Sequence, residues 1–439
     1  MQHARWLTLS VAVFTASLTL IAQQLLAQNS AEQNSAAQNS SPQTPLHTAD
    51  AVFANAQLTN LDANGKWTFQ VTASGGRESL QQTLDTSNMI RWGGWPGVTQ
   101  KSAVWLSDGS WLVGRVEFDS AQELTLHSEW FKPAKIPLRA VRGLVMVAPA
   151  SIAAWNQLHS QMEATTGGRD TIWLTGNRQI AGVLRLALDE FDRSPKFVLE
   201  NAGQALAVDS VEVRAIVFSP TLMGAIPVQS KQSVLGLTDG SRLNLRKLSS
   251  EGSQVQVTLS DGLALQSLDA RGEFCRGVAC LSNRPVNTSF LADLEPASYK
   301  HIPQSQLNWP LGRNRDLLGR PLMTSLGIMD RGLATHSSSQ VAYRLNGNEQ
   351  RLLAEVQFAK PADGANEQLG SVNCQVLVAR SGKLQPLAEF HLDRSRSEPH
   401  LINLDITGSQ LLVLVTDQAD FAQYGDHILW LDARILTKP

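Results

Sequence analysis

Aromatic and polar side chains that could together hold a ligand lie in the last third of the sequence. The aromatic candidates are Trp309, Tyr343, Tyr424 and Trp430. Polar candidates with several donors or acceptors follow in the same part of the chain: Arg313, His336, Asp417, Asp426 and His427. An aromatic face packs against the C–H groups of a sugar, while charged side chains reach several of its hydroxyls at once. Residues of these types could together hold a ligand that has apolar C–H faces and many hydroxyls.

Each of these candidates also has a structural interpretation. His336 follows a Gly-containing loop and could bond only to the turn backbone. Asp426 with His427 could be a structural pair at the start of a strand. Trp430 alternates with leucines along a predicted strand, so it lies either in the core or on the surface. Trp309 lies in a loop-like segment before a proline, and we expect it to be the most exposed aromatic side chain.

Signatures of catalysis are absent from the sequence. It contains no HExxH, GxSxG or CxxC motif and no phosphate-cradling loop. A glycosidase needs two carboxylates that face one bond. The one acidic cluster, Asp189, Glu190 and Asp192, lies between two predicted strands, where a solvated turn explains it better. We therefore do not expect an enzyme.

The three cysteines, Cys275, Cys280 and Cys374, leave two interpretations open. Cys275 and Cys280 are close enough in sequence for a local disulfide in an exported protein. The alternative is that the thiols are buried and unreactive. A zinc site is not expected, because no second cysteine pair or histidine pair stands at ligand spacing.

Composition and the amino-terminal segment predict an exported globular protein. The 439 residues carry a formal net charge of −2, so no overall field attracts nucleic acid or anionic lipid. Residues 1–27 predict a secretory signal peptide, with an uncleaved membrane anchor as the alternative. Residues 28–48 are rich in Gln, Asn, Ser and Ala and predict a disordered linker. No later segment is apolar enough to span a membrane, so we expect a periplasmic, cell-surface or secreted protein.

Residues 49–285 predict three or four small antiparallel β units. A strand, a tight turn and a returning strand recur from Ala103, from Thr171 and from Ser233. A more divergent copy runs from Val52 to Trp95. The pattern resembles the short strand sets of SH3-like or Sm-like barrels.

The predicted domain boundaries follow from these units. Two β units occupy residues 49–150, and a linking helix capped by Ser151 opens residues 151–285, which hold the other two. Residues 286–439 contain regular alternating strands separated by polar turns, which are typical of a β-sandwich or jelly roll. The predicted fold class is therefore all-β.

Three motifs in residues 286–439 resemble the NPCBM family of carbohydrate-binding modules, which is seen beside family 98 glycosidases. Residues 331–337 read RGLATHS and resemble the family's G-L-G/A-T-H-S signature. Residues 405–408 read DITG and resemble D-V-S-G, and residues 426–433 read DHILWLDA and resemble D-H-A-D-W-x-D-A. The motifs occur in the family's order, over about 290–436. This end of an exported bacterial multi-domain protein is therefore expected to be an NPCBM-like module.

The resemblance implies a jelly-roll sandwich that binds galactose-type or related glycans, sometimes with a calcium ion. Two departures put this in question. Ile428 and Leu429 replace the family's A-D before the tryptophan, and the usual acidic segment retains only Asp363 and Glu367. A sugar or metal contact made by either region would be lost here.

Three functions are therefore open. The leading hypothesis is an extracytoplasmic, non-catalytic protein that binds a glycan or polysaccharide through its C-terminal sandwich. The alternative is a structural or protein-interaction protein of the envelope whose sandwich has lost sugar binding. A hydrolase within residues 50–285 is the third, although short barrel-like units leave little room for a deep cleft.

Overall fold

The protein is described here by a computed structural model. It describes residues 44–72, 79–97, 101–165, 167–189, 195–201, 203–219, 233–285, 288–303, 307–360, 370–396, 398–420 and 423–437. The predicted signal peptide and most of the predicted linker lie outside these residues. Within them, strands β1 to β35 accompany two short α-helices, so the all-β prediction is confirmed. Among the described residues no helix is both long and apolar enough to span a bilayer.

Four consecutive segments between residues 44 and 283 have the same plan, with a first strand, a meander of three strands and a last strand. The first segment contains β1 (Leu46–Thr48), β2 (Val52–Phe53), β3 (Ala56–Leu61), β4 (Trp67–Thr72), β5 (Ser79–Leu84) and β6 (Met89–Gly93). The second contains β7 (Ala103–Leu106), β8 (Trp111–Val113), β9 (Arg115–Phe118), β10 (Glu123–His127), β11 (Ala134–Pro137) and β12 (Val141–Val145). The third contains β13 (Asp170–Leu174), β14 (Gln179–Leu188), β15 (Pro195–Asn201), β16 (Gln204–Val208) and β17 (Val213–Val217). The fourth contains β18 (Ser233–Leu237), β19 (Arg242–Glu251), β20 (Gln254–Leu259), β21 (Ala264–Ala270), helix α2 (Arg271–Arg276) and β22 (Val278–Ser282).

In every segment the first strand pairs antiparallel with the last, and a three-stranded meander lies between them. The tight turns expected after β7 and β18 are present. Gly109 and Gly240 adopt φ of 86° and 96°, and Asp108 and Asp239 each accept a bond from the backbone two residues on. The comparison with SH3-like or Sm-like barrels stays a prediction.

The four segments join edge to edge. Strand β12 pairs with β17, β22 pairs with β6, and β8 meets β19 through the residue pair Trp111 and Arg242. The result is one 16-stranded sheet in which the segments stand in the order third, second, fourth, first. Their apolar side chains form one continuous core on the meander side.

Helix α1 (Ile152–Glu163) connects the second and third segments. It begins after Ser151, whose hydroxyl accepts a hydrogen bond from the backbone of Ala154 at 3.2 Å. Its apolar face buries Trp155, Leu158 and Met162. These side chains pack with tryptophans of the first three segments, so the helix is part of the core rather than an exposed linker.

Two antiparallel sheets form the sandwich after residue 288. One contains β23 (Thr288–Phe290), β25 (Gly312–Arg313), β28 (Gly332–His336), β30 (Glu349–Phe358), β33 (His400–Asp405) and β35 (His427–Thr437). The other contains β24 (Ser298–His301), β29 (Ser339–Arg344), β31 (Ser371–Arg380), β32 (Lys383–Asp393) and β34 (Leu411–Gln418). A hairpin of β26 (Leu322–Thr324) and β27 (Gly327–Met329) lies beside them. The core between the sheets is apolar, and it confirms the predicted sandwich.

A buried group of charged and polar side chains, which we call the charge cluster, joins this sandwich to the first segment. Arg91 of β6 donates to Glu355 of β30 and to Asp432 of β35, each at 2.5 Å. His47 of β1 lies 2.7 Å from Glu355, and Arg331 lies 3.3 Å from Asp432. All five side chains are at most 4% exposed, so charges from both parts of the chain are neutralised away from water.

Further bonds tie the same face of the sandwich to the first segment. Arg434 donates to the carbonyl of Thr48 at 2.6 Å, and Arg331 donates to the carbonyl of Ile90 at 3.2 Å. Residues Thr44–Pro439 accordingly form one compact unit. The prediction of a disordered linker over 28–48 is wrong for its last residues, because β1 is fully buried and Leu46 enters the core.

The cysteines follow the second of the two interpretations. Cys275, Cys280 and Cys374 are free and buried, so Cys275 and Cys280 do not form a disulfide. Burial raises the pKa of the Cys275 thiol to about 11 and that of Cys280 to about 12, which keeps both protonated at neutral pH.

We predict that Arg91→Ala destabilises the protein by about 3–5 kcal/mol, because it leaves Glu355 and Asp432 buried without their main counter-charge. Urea unfolding at pH 7 measures this. Arg115→Ala is the matched control: Arg115 is 68% exposed in its pair with Glu117, and its loss should change stability by no more than about 1 kcal/mol. Equal effects of the two substitutions would contradict a stabilising role for the charge cluster.

Acidification should destabilise the protein through the same cluster. Burial alone would favour the neutral acid, but the charge of Arg91 and the hydrogen bond with His47 outweigh it and lower the pKa of Glu355 to about 2. The unfolded carboxyl titrates near pH 4.3, so the unfolded chain binds the proton first and stability falls between about pH 5 and 2. Urea midpoints measured across this range should show a shallower fall for Glu355→Gln. An unchanged pH slope in that variant argues against the assignment.

Candidate functional site

Several strands of the sandwich begin or end at one edge, which we call the rim. Strand β28 ends at His336, directly opposite His427, the first residue of β35. Strand β24 ends at His301, opposite Ser339, the first residue of β29. Antiparallel pairing therefore brings three histidines from three strands to the same edge, although they are far apart in sequence.

Trp309 completes a cluster of rings at the rim. Its indole stacks on the imidazole of His336, with ring centroids 5.1 Å apart and an interplanar angle of 13°. His427 meets the same indole edge-on at 5.1 Å and lies 5.2 Å from His336. His301 contacts His336 edge-on at 5.7 Å. His336 therefore lies at the centre, in contact with all three other rings.

Backbone contacts fix the indole in this position. The hydroxyl of Tyr299 donates to the carbonyl of Trp309 at 2.9 Å. Nδ1 of His301 lies 3.3 Å from the backbone nitrogen of Trp309. Nε2 of His301 is buried and has no hydrogen-bond partner among the described residues. Two hydrogen bonds, one at the carbonyl and one at the nitrogen of Trp309, thus hold the loop that carries this residue.

The central imidazole is neutral over the physiological pH range. His336 is only 3% exposed, and its burial, together with the nearby His427, lowers its pKa to about 4. A neutral ring can stack closely on the indole without the cost of burying a charge.

Polar side chains extend the rim beside the rings. Asp417 is exposed, and the hydroxyl of Ser338 lies 3.5 Å from its carboxylate. Gln423 donates to the same hydroxyl at 3.0 Å. Tyr424 is 66% exposed, and it adds an aromatic side chain that is open to solvent. The rim therefore presents both aromatic and hydrogen-bonding groups.

Asp426 supports the rim from beneath. It is fully buried and accepts a hydrogen bond from the backbone of Ser371 at 3.2 Å. Burial raises its pKa to about 6. Arg394 donates to the carbonyl of Gly425 at 2.7 Å, so the loop before His427 is anchored at Gly425 and at Asp426.

Three of the predicted site residues lie elsewhere. Tyr343 and Trp430 are 1% and 0% exposed and belong to the sandwich core, so neither offers a face to a ligand. The indole of Trp430 donates to the hydroxyl of Thr335 at 3.1 Å. Arg313 pairs with Glu295 at 2.8 Å and lies opposite Leu333, away from His336. The interpretation of Trp430 as a core residue is therefore the correct one.

Of the predicted residues, the structure brings together Trp309, His336 and His427, with Asp417 and Asp426 beside and below them. His301 was missed by sequence reasoning. It belongs to none of the motifs, and only the pairing of β24 with β29 places it next to the turn after His336.

Among the described residues, no group of three or more His, Cys, Asp and Glu side chains is arranged to hold a metal ion. The calcium ion implied by the family resemblance stays a prediction. The segment expected to carry Asp363 and Glu367 lies outside the described residues.

Comparison with solved structures returned several carbohydrate-binding modules of family 51. A Clostridium perfringens ZmpB structure, CBM51-2 with GlcNAc and INT domains, is 22% identical, with a TM-score of 0.29 over 44% of this chain and 40% of that one. The CBM51 of Clostridium perfringens GH95 with methyl-galactose is 17% identical, with a TM-score of 0.28 over 34% and 99%. The tandem CBM51 modules of a Streptococcus pneumoniae family 98 glycoside hydrolase are 11% identical, with a TM-score of 0.29 over 61% and 88%.

The chain thus spans about two fifths of the length of the first of these structures. No curated protein matches the chain significantly. The model of the NPCBM/NEW2 domain matches residues 287–436, which cover both sheets of the sandwich and the whole rim. The C-terminal part of this chain, residues 287–436, belongs to the NPCBM/NEW2 domain family.

Proposed function

We propose that the protein is a non-catalytic, extracytoplasmic carbohydrate-binding protein whose rim binds a galactose-type or related glycan. One observation carries the proposal: the stacked rings of Trp309, His336 and His427 lie beside the exposed Asp417 at the edge of an NPCBM/NEW2 domain. Aromatic rings with adjacent hydrogen-bonding groups suit a ligand that has apolar C–H faces and many hydroxyls.

The rim residues divide into two roles in this proposal. Trp309 and His427 are partly exposed, and with Asp417 and Tyr424 they would contact the glycan. His336 and Asp426 are buried, so they act as positioning residues. His336 orients the indole by stacking on it, and Asp426 holds the loop before His427.

The departure at Ile428 and Leu429 supports retention of the rim rather than its loss. Ile428 is fully buried in the sandwich core. Leu429 packs on the outer face with Leu317, Leu322 and Met329. Because both positions are buried, their apolar side chains change the packing below the rim and remove no group from its surface. The envelope-scaffold alternative therefore loses the observation that favoured it.

A non-catalytic role fits what is described of the acidic cluster in the third segment. Asp189 forms an ion pair with Lys196 at 2.5 Å, and the two side chains are 22% and 59% exposed. Glu190 and Asp192 lie outside the described residues. Export is proposed from the amino-terminal sequence.

We predict that Trp309→Ala and His427→Ala each weaken glycan binding about tenfold or more, because each removes a contact ring from the rim. Titration calorimetry with methyl-galactoside and with N-acetyllactosamine, with and without calcium, measures this. His127→Ala is the matched control, since His127 is a partly exposed histidine on β10, far from the sandwich in sequence. Its affinity should equal that of the unmodified protein.

Absence of binding to any glycan on an array, together with a specific protein partner found by crosslinking at the rim, would favour the envelope-scaffold alternative. Equal affinities of the Trp309, His427 and His127 variants for a bound glycan would place the binding surface elsewhere.

A further inference from the structure

A second cleft lies where helix α1, the second and fourth segments and the sandwich meet, and we call it the junction cleft. Its volume is about 510 Å³, within the range of about 300–1,000 Å³ that small-molecule sites occupy. Asn156, His159 and Glu163 of helix α1 line it, and their spacing places them on one face of the helix. Arg315 and Asp330 line the opposite side.

Tryptophan forms one wall of the cleft. Trp105 stacks on Trp111 with ring centroids 5.3 Å apart and an interplanar angle of 5°. Trp111 is almost fully buried, whereas Trp105 is partly exposed. The imidazole of His159 meets both indoles edge-on, at 6.0 and 5.4 Å. The wall is therefore rigid and apolar and carries one polar ring.

The arginines of the cleft are all paired with carboxylates. Arg242 lies 2.9 Å from Asp330, and Arg315 lies 3.7 Å from Glu163. Arg284, which also lines the cleft, lies 3.1 Å from Asp293. These pairs are partly exposed, so they keep donors and acceptors for a ligand while giving the cleft little net charge. A neutral ligand with many hydroxyls therefore fits these paired charges better than an ion does.

The amide of Asn156 points to the same chemistry. It is partly buried, lines the cleft, and forms no hydrogen bond with any of the described residues. Because the polar atoms of this amide stay accessible from the cleft, a ligand hydroxyl can bind its donor or its acceptor.

We propose that the junction cleft binds a neutral oligosaccharide, as a second saccharide site that is separate from the rim. The exposed part of Trp105 would contact the C–H groups, and the paired charges and Asn156 would bind the hydroxyls. The site is built from both the β segments and the sandwich, so it exists only in the complete chain. The proposal does not depend on the rim's binding activity.

Titration calorimetry of the full chain with lactose, maltotriose, chitotriose and cellotetraose tests it. Asn156→Trp fills the cleft, and Gln157→Trp places the same side chain on the next, exposed position of the helix, outside the cleft lining. We expect Asn156→Trp to remove one binding event or weaken it at least tenfold, and Gln157→Trp to leave it unchanged. Equal thermal melting of the two variants controls for folding. Arg315→Ala, at a 44% exposed residue, should also weaken this event without relying on steric filling.

The rim variant Trp309→Ala separates this inference from the proposed function. Binding that persists in Trp309→Ala but is lost in Asn156→Trp supports the junction cleft, even if the rim binds nothing. If no saccharide of the panel shows binding sensitive to Asn156→Trp or Arg315→Ala in the folded protein, the inference is wrong.

Discussion

The charge cluster is the constraint on which the rest of this structure depends. Arg91 comes from the first β segment, while Glu355 and Asp432 come from two neighbouring strands of the sandwich. None of these charges could stay buried alone, because an uncompensated ion in a dry interior costs several kcal/mol. The two parts must therefore pack together with a fixed register. That register determines where the junction cleft lies.

The sequence predicted best those strands of the sandwich that are buried on one face only, because alternation is informative there. Val372, Cys374, Val376 and Val378 alternate along β31, and all four are fully buried. Strand β35 is different, because the core covers one face and a second apolar layer covers the other. In such a strand both faces are apolar, so the alternation of residues does not indicate which face points into the core. This is why the sequence left the position of Trp430 open.

The charge cluster and the junction cleft could not be predicted in the same way. Arg91 and Glu355 are separated by 264 residues, and nothing local in either segment marks them as partners. The rim was predicted in part, because motifs supplied His336 and His427, but His301 reached it only through strand pairing. Helix α1 was expected from its cap and spacing, yet its role in lining a cleft depends on tertiary packing alone.

The bond from Arg434 to the carbonyl of Thr48 has a consequence for biogenesis. It joins one of the first described residues to one of the last, 386 positions apart. During synthesis, strand β1 emerges long before strand β35, which carries Arg434. Strand β1 therefore stays only partly assembled until β35 has emerged. Contacts of such long range slow the search for the native topology. In a chain truncated before β35, the first segment would lack these contacts and would stay accessible to quality-control proteases.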